Sequence, residues 1–320
     1  MTTLLLDRLR AHLRGISRPV AQVGPVFVVL NPEAGRFEQL ELREALRDKF
    51  RGAHSRYAIH EMIGQENISW VVRQAVEEGF SLVVAAGGDG TVSAVVGGLV
   101  GTAVPLGIIP IGTGNALARE LGIPLKLHKA VDLLVGGHAT RSIDAMQVGE
   151  QYFVMVVGAG VSSLVVGGTR REAKLRFGRF AYVLQVLKQF LGFQPYRFRI
   201  MVDGRTMHLR ASEVLVANTS RVGGSALHWA RNIRPDDGEL AVCIIRLPSL
   251  WAYLRVGWSM LFNRQHRNPR MRFLGARNEV LIDCRQPVQV QADGEMIGQV
   301  PIKVRLVPSA VQVVVPPVEL

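Results

Sequence analysis

Leu82-Val83-Val84-Ala85-Ala86-Gly87-Gly88-Asp89-Gly90-Thr91 decides the fold, together with Leu106-Gly107-Ile108-Ile109-Pro110-Ile111-Gly112-Thr113-Gly114-Asn115 a helix and a strand later. Each stretch is an apolar run of buried-strand character that ends in glycines and leads into a helical pattern. That arrangement points backbone N–H groups and a helix N-terminus at any bound anion. Two such loops at the ends of neighbouring strands make a nucleotide site. The plainer alternative is a tight turn, because glycine adopts positive φ at little cost. Asp89 and Thr91 favour the functional reading. Thr91 can cap the following helix and bond a phosphate oxygen, and Asp89 suits orienting a loop amide or acting through Mg2+. No Walker-type lysine follows the glycines, so the loop is not a P-loop. Thr113 and Asn115 are N-cap candidates for a helix over 116–121.

Outward from these loops, the spacing predicts strands over 26–30, 56–61, 82–86 and 106–109. They alternate with helices over 37–50, 67–78, 92–99 and 116–121, the last stopped by Gly122 and Pro124. Strict alternation argues for a parallel sheet covered on both faces. After about Ile143 the apolar runs shorten and alternate with period two. Residues 196–202, the pair Asp203-Gly204 and residues 205–210 read as a β-hairpin. Runs over 280–284, 288–292, 302–307 and 311–315 continue the pattern, with one helical insertion near 178–191. The expected architecture is a parallel-sheet α/β nucleotide-binding domain over residues 20–142, then a β-sandwich domain over 143–320. An amphipathic, basic segment over 1–19 precedes them.

Composition fits two domains. A chain of 320 residues exceeds the usual single-domain size. With 48% hydrophobic and 20% charged residues, it has material for packed cores and no sign of wholesale disorder. Lys and Arg number 38 against 26 acidic residues, and the formal charge of +12 favours an anionic partner. No nucleic-acid recognition motif is present and aromatics are 7%, which argues against a specific nucleic-acid role. Cys243 and Cys284 lie far apart in strand-like runs and read as buried thiols of a reducing compartment. The run Leu4-Leu5-Leu6 is too short for a signal core, and residues 153–169 fall short of the ~20 apolar residues that cross a bilayer. A cytoplasmic, soluble or peripherally membrane-bound protein is expected.

Three more motifs join the two loops: Asn31-Pro32-Glu33-Ala34-Gly35, Asp236-Asp237-Gly238 and Asp293-Gly294-Glu295. In this order, over about residues 25–315, they resemble the diacylglycerol-kinase and sphingosine-kinase lipid kinases, especially the soluble bacterial members. GGDGT by itself is shared with NAD kinases. Asn115-Ala116-Leu117-Ala118-Arg119 stands where many bacterial relatives carry Asn-Asp-Phe-Ala-Arg, and is closer to the sphingosine-kinase wording. The resemblance implies an ATP- and Mg2+-dependent kinase of a membrane-lipid hydroxyl. The nucleotide-binding residues it implies are Asn31, Gly87, Gly88, Asp89, Gly90, Thr91, Gly112, Thr113 and Asn115, with Asp89 also placed in the catalytic set.

The same resemblance implies that Asp293 takes the proton from the lipid hydroxyl, with Glu295 supporting the site or a metal. A carboxylate suits that work, because phosphoryl transfer needs positioning and charge stabilisation more than a strong base. Asp-Gly between alternating strands is also what a tight hairpin needs, and Asp203-Gly204 reads as only that. A structural Mg2+ is implied at the Asp237 side chain and the Arg234 and Glu239 carbonyls. Basic clusters near the N-terminus, over 170–188 and over 264–277 are either solvated faces of packed helices or surfaces for an anionic membrane; a lipid substrate favours membrane contact for the second, and the N-terminal one stays open between the two. A homodimer is one assembly left open. The competing readings are an NAD kinase-like enzyme of a soluble substrate, or a non-enzymatic binder of anionic membranes or nucleic acid.

Overall fold

The computed structural model describes residues 16–17, 24–35, 39–52, 56–64, 66–136, 139–161, 163, 195–221, 233–246 and 268–317. The chain divides into two units, Met1–Ala145 with Val307–Leu320, and Met146–Leu306. The helical insertion expected near 178–191 lies outside the described residues. So does the N-terminal segment apart from β1 (Ile16–Ser17), which pairs antiparallel with β6 (Ala139–Val148).

In the first unit, β2 (Val26–Leu30) pairs in parallel with β3 (Tyr57–Glu61) and β4 (Leu82–Gly87). β4 in turn pairs in parallel with β5 (Leu106–Pro110). The last strand, β17 (Ile302–Val315), returns to this unit, where Val313 pairs in parallel with Leu106. The order β3-β2-β4-β5-β17 is a doubly wound sheet of 2-1-3-4-5 type. β2, β4 and β5 are apolar throughout because both faces are covered, while the outer strand β3 carries His60 and Glu61. On one face Leu42, Leu46 and Phe50 of α1 (Gln39–Gly52) and Val131 and Leu134 of α5 (Leu127–Val135) join Val26, Val28, Leu30 and Val84 in one core. Their spacing along each helix makes one apolar stripe, and each fully buried Val, Leu or Phe contributes about 1.5–3 kcal/mol. α2 (Ile68–Glu77) and α3 (Asp89–Leu99) pack on each other and bury Val72, Ala75, Val95 and Val96. Asn67 caps α2 by accepting from Trp70 N at 3.1 Å.

One boundary differs from the sequence reading, which places everything from 143 to 320 in the β-sandwich domain. Residues 302–307 and 311–315 are not two sandwich strands but one strand of 14 residues. Its second half leaves for the α/β unit.

The second unit is an antiparallel β-sandwich. One sheet runs β13 (Met271–Ala276), β12 (Leu240–Ile245), β11 (Glu213–Ala217), β8 (Val156–Gly160), β15 (Gln289–Ala292) and β16 (Glu295–Gln299). The other orders β10 (Arg205–Ala211), β9 (Tyr196–Val202), β14 (Glu279–Cys284) and the first half of β17. Phe198, Ile200, Val280 and Ile282 of the second sheet pack with Val214, Val242 and Val290 of the first in a single core. Cys243, on the face of β12 turned away from this core, is also buried, and desolvation, with Glu213 adding to it, pushes its thiol up.

Two Asp-Gly hairpins of this unit share one device. Asp203 and Gly204 have φ of 45° and 81°, and Asp293 and Gly294 have 48° and 92°, the consecutive positive φ of a type I′ turn. The Asp203 carboxylate accepts from the backbone N of Arg277, Asn278 and Glu279 at 2.7, 2.9 and 3.0 Å. It therefore fastens a neighbouring strand start as well as turning the chain. Partial burial works to raise its carboxyl, but the N–H donors of Arg277, Glu279 and Asn278 outweigh this and hold it below its ordinary value. A carboxyl depressed in the folded state stabilises above its unfolded value of about 3.9, and that contribution is lost as pH falls through the folded value. Asp203→Asn should lower the melting temperature at neutral pH, and the gap to wild type should close below about pH 4. Calorimetry across that range checks it; a gap independent of pH contradicts the assignment.

Candidate nucleotide-binding site

The order of the parallel strands places a topological switch between β2 and β4, since the chain leaves β2 toward β3 and returns to the other side as β4. Open α/β sheets bind ligands at the carboxyl ends of strands flanking such a switch. Asn31 directly follows β2, and Gly87 ends β4. Asn31 N donates to Ala86 O at 3.0 Å, its Nδ2 donates to Thr91 Oγ1 at 3.2 Å, and its Oδ1 accepts from Glu33 N at 2.9 Å. Thr91 is 3% exposed. Its side chain occupies the space a Cβ on Gly87 would need, with Thr91 Cβ only 2.6 Å away. Thr91 is thus a strut between the first two loops and not the cap of α3. The N-cap is Gly88, with no side-chain cap bond. α3 starts at Asp89, ahead of the Val92 expected from sequence. The N–H groups of Asp89, Gly90 and Thr91 therefore fall in its first turn, without intrahelical partners.

The second glycine loop is fastened onto the first. Ile111 N and Gly112 N both donate to Gly87 O at 3.2 Å. Gly88 and Gly112 meet backbone to backbone: a Cβ on Gly112 would overlap Gly88 Cα and come within 3.0 Å of Gly88 N. Asp89 Oδ1 accepts from Ala116 N at 2.7 Å and from Leu117 N at 3.4 Å. Asp89, not Thr113 or Asn115, therefore caps α4 (Ala116–Glu120). Asn115 sits in the left-handed region at φ 54° and makes no cap bond; its Nδ2 donates to Pro110 O at 3.2 Å and Gly112 O at 2.7 Å. Asn115 Oδ1 is buried and has no partner among the described residues, while Thr113 is exposed. Burial pushes the Asp89 carboxyl up, against the N–H donors of Ala116, Leu117 and Asn115 and the charge of Arg119. Backbone donors, a helix N-terminus and glycines without side chains in one place suit a polyphosphate.

The residues expected from the β-sandwich unit form two groups. Asp293 Oδ2 accepts from Val154 N at 2.9 Å, and Oδ1 accepts from Met155 N at 3.1 Å and Val156 N at 2.8 Å. Glu295 opens β16, exposed and without a described partner. Asn218 grips the same segment from another side: its Nδ2 donates to Val154 O at 3.1 Å and its N to Met155 O at 2.8 Å. The sequence reading missed Asn218. The polar triplet Asn218-Thr219-Ser220, buried at the end of the apolar β11, was the available signal. In the other group Asp237 Oδ1 accepts from Glu239 N at 3.1 Å, Arg234 forks onto Asp236 at 3.1 and 3.2 Å, and Glu239 pairs with Arg277 at 3.2 Å. Among the described residues no three His, Cys, Asp or Glu side chains converge as a metal set. A cation at this turn would rest on Asp237, carbonyls and water, the hard oxygen donors that Mg2+ accepts.

Residues 25–148 match the diacylglycerol kinase catalytic domain, and residues 155–315 match the YegS C-terminal NAD kinase beta sandwich-like domain. The chain belongs to the diacylglycerol kinase catalytic family. A diacylglycerol kinase of Bacillus subtilis is 30% identical over 282 residues, covering 86% of this chain and 90% of the relative. One of Mycobacterium tuberculosis is 31% identical over 309 residues, covering 92% and 96%. A solved diacylglycerol kinase structure from Bacillus anthracis shares the fold, with a TM-score of 0.73 at 22% identity over 92% of this chain and 97% of that one. The chain is accordingly a kinase of the lipid-kinase class, with ATP as phosphate donor. Among the described residues no helix is long and apolar enough to cross a membrane.

The backbone contact between the loops yields a prediction. Gly88→Ala places its Cβ 3.4 Å from Gly112 Cα, an ordinary contact, and should melt close to wild type. Gly112→Ala must push the loops apart and should lose about 1–3 kcal/mol, the usual cost of overpacking. Denaturant titration of both variants checks this, and equal stabilities contradict the contact.

Proposed function

We propose that the chain transfers the γ-phosphoryl group of ATP, with Mg2+, to a hydroxyl of a membrane lipid of the diacylglycerol kind. The observation that carries this reading is the fastening of two glycine loops, through Asp89 and the Gly88–Gly112 contact, at the switch point of a diacylglycerol kinase catalytic domain. Asn31, Gly87, Gly88, Gly90, Thr91, Gly112, Thr113 and Asn115 form or brace the phosphate cradle, and Asp89 fixes its shape. Asp293 takes the proton of the lipid hydroxyl, held in orientation by its three backbone donors. Glu295 supports that site. Asp237, with the Arg234 and Glu239 carbonyls, holds a structural Mg2+. The names of the relatives support diacylglycerol over phosphatidylglycerol or a long-chain base as acceptor. An anionic membrane is the setting in which the basic chain meets its substrate, on the cytoplasmic side. Purified protein with labelled ATP, Mg2+ and a panel of lipid micelles tests this directly. Label should enter a lipid and not water-soluble NAD; label in NAD alone would overturn the proposal.

Asp89→Asn should keep the fold, because one amide oxygen still accepts from Ala116 N, and should lose turnover; full turnover contradicts the role of Asp89. Asp293→Asn and Asp203→Asn each leave one oxygen to serve three N–H donors, so both should melt earlier. Only Asp293→Asn should lower kcat, by ~10²–10⁴, the usual worth of a positioned base. Equal activity in the two variants would make Asp293 a turn residue alone.

A further inference from the structure

One face of the hairpin β9–β10 with β14 is strongly basic. Arg197 and Arg199 alternate with the core residues Phe198 and Ile200, so both point away from the core. The register sets Arg210 opposite Arg197 and His208 opposite Arg199. Arg285, just beyond β14, completes a shallow groove of about 750 Å³ on this face. Arg199 is paired with Asp283 at 2.9 Å. Arg197, Arg210 and Arg285 are exposed and make no ion pair among the described residues. Like charges directly opposite each other weaken a sheet, so Arg197 and Arg210 gain the fold nothing. Edge strands carry charge to block pairing with other chains, which accounts for Arg210 on the outermost strand β10. It does not account for Arg197 on β9, an interior strand, or for Arg285.

We propose that this face docks the protein onto an anionic phospholipid bilayer, the three unpaired guanidinium groups meeting lipid phosphates. The inference rests on the lipid-kinase reading, which brings the enzyme to a bilayer. Guanidinium forks match phosphate oxygens bidentately. Beside the arginines the same face carries half-buried Met201 and Leu281, paired in register, giving a small apolar strip next to the charge as interfacial surfaces have. No exposed aromatic ring lies in this register to stack a nucleobase, which disfavours single-stranded nucleic acid as the occupant.

The test is sedimentation of the full chain with phosphatidylcholine vesicles, with and without phosphatidylglycerol. The triple variant Arg197→Gln, Arg210→Gln, Arg285→Gln is compared with a charge-matched control, Arg47→Gln, Lys126→Gln, Lys129→Gln, at exposed positions of the α/β unit. Wild type and control should bind the phosphatidylglycerol vesicles in a salt-sensitive way, and the face variant should bind on the order of 100-fold more weakly. If the triple variant melts early, Arg197→Gln and Arg285→Gln singly should each lose about 5-fold. Equal losses in variant and control, no loss in either, or tighter binding of wild type to duplex DNA than to these vesicles would overturn the proposal. Phosphorylation of a short-chain, water-soluble diacylglycerol separates the two readings. If wild type phosphorylates it while the face variant still binds vesicles, docking by this face is wrong and the kinase reading stands. If the face behaves as expected but no lipid is phosphorylated, the kinase reading fails and the docking surface stands.

Discussion

The hydrogen bond from Ala116 N to Asp89 Oδ1, 2.7 Å long, is the contact on which the candidate site depends. Asp89 is the first residue of α3, where the helix dipole favours a negative group. Its oxygen also satisfies the first N–H groups of α4, a helix of five residues that is too short to hold itself. One carboxylate therefore serves two helix starts and fixes the second glycine loop against the first. The Gly88–Gly112 approach is possible only because Gly112 has no side chain. Asp89 is held in this place at the cost of desolvation, which shows in its raised carboxyl.

The α/β architecture was legible because strands covered on both faces are unbroken apolar runs, as in residues 26–30 and 82–86. The start of α3 was not, because Asp89 and Gly90 are poor helix-interior residues that suit a first turn. The path of β17 was also hidden. Pro308 and Ser309 look like a break between two strands, and Ser309 does take a positive φ of 49°. The strand continues past it, with Ser309 N donating to the buried Asp144 at 2.8 Å. A partner of its second half, β5, lies some two hundred residues earlier, beyond any local pattern.

Within the site, glycines were readable as loops, but the carboxylates' partners were not. Asp-Gly announces a turn in either hairpin. That Asp203 reaches Arg277–Glu279, and Asp293 reaches Val154–Val156 across 137 to 139 residues, follows only from the folded sheets. The two aspartates are the same backbone device in two places. Chemistry at Asp293 must therefore work through a carboxylate already engaged by three N–H groups, which suits positioning a hydroxyl for phosphoryl transfer more than strong proton abstraction.

The central claim is that the loops after β2, β4 and β5 form one phosphate-binding unit. Hydrogen exchange of the full chain with and without a non-hydrolysable ATP analogue and Mg2+ tests it most directly. Protection should rise together at Asn31–Gly35, Gly87–Thr91 and Gly112–Leu117, with a single ligand midpoint. Protection confined to one loop, or absent from all of them while the ligand still binds, would contradict it.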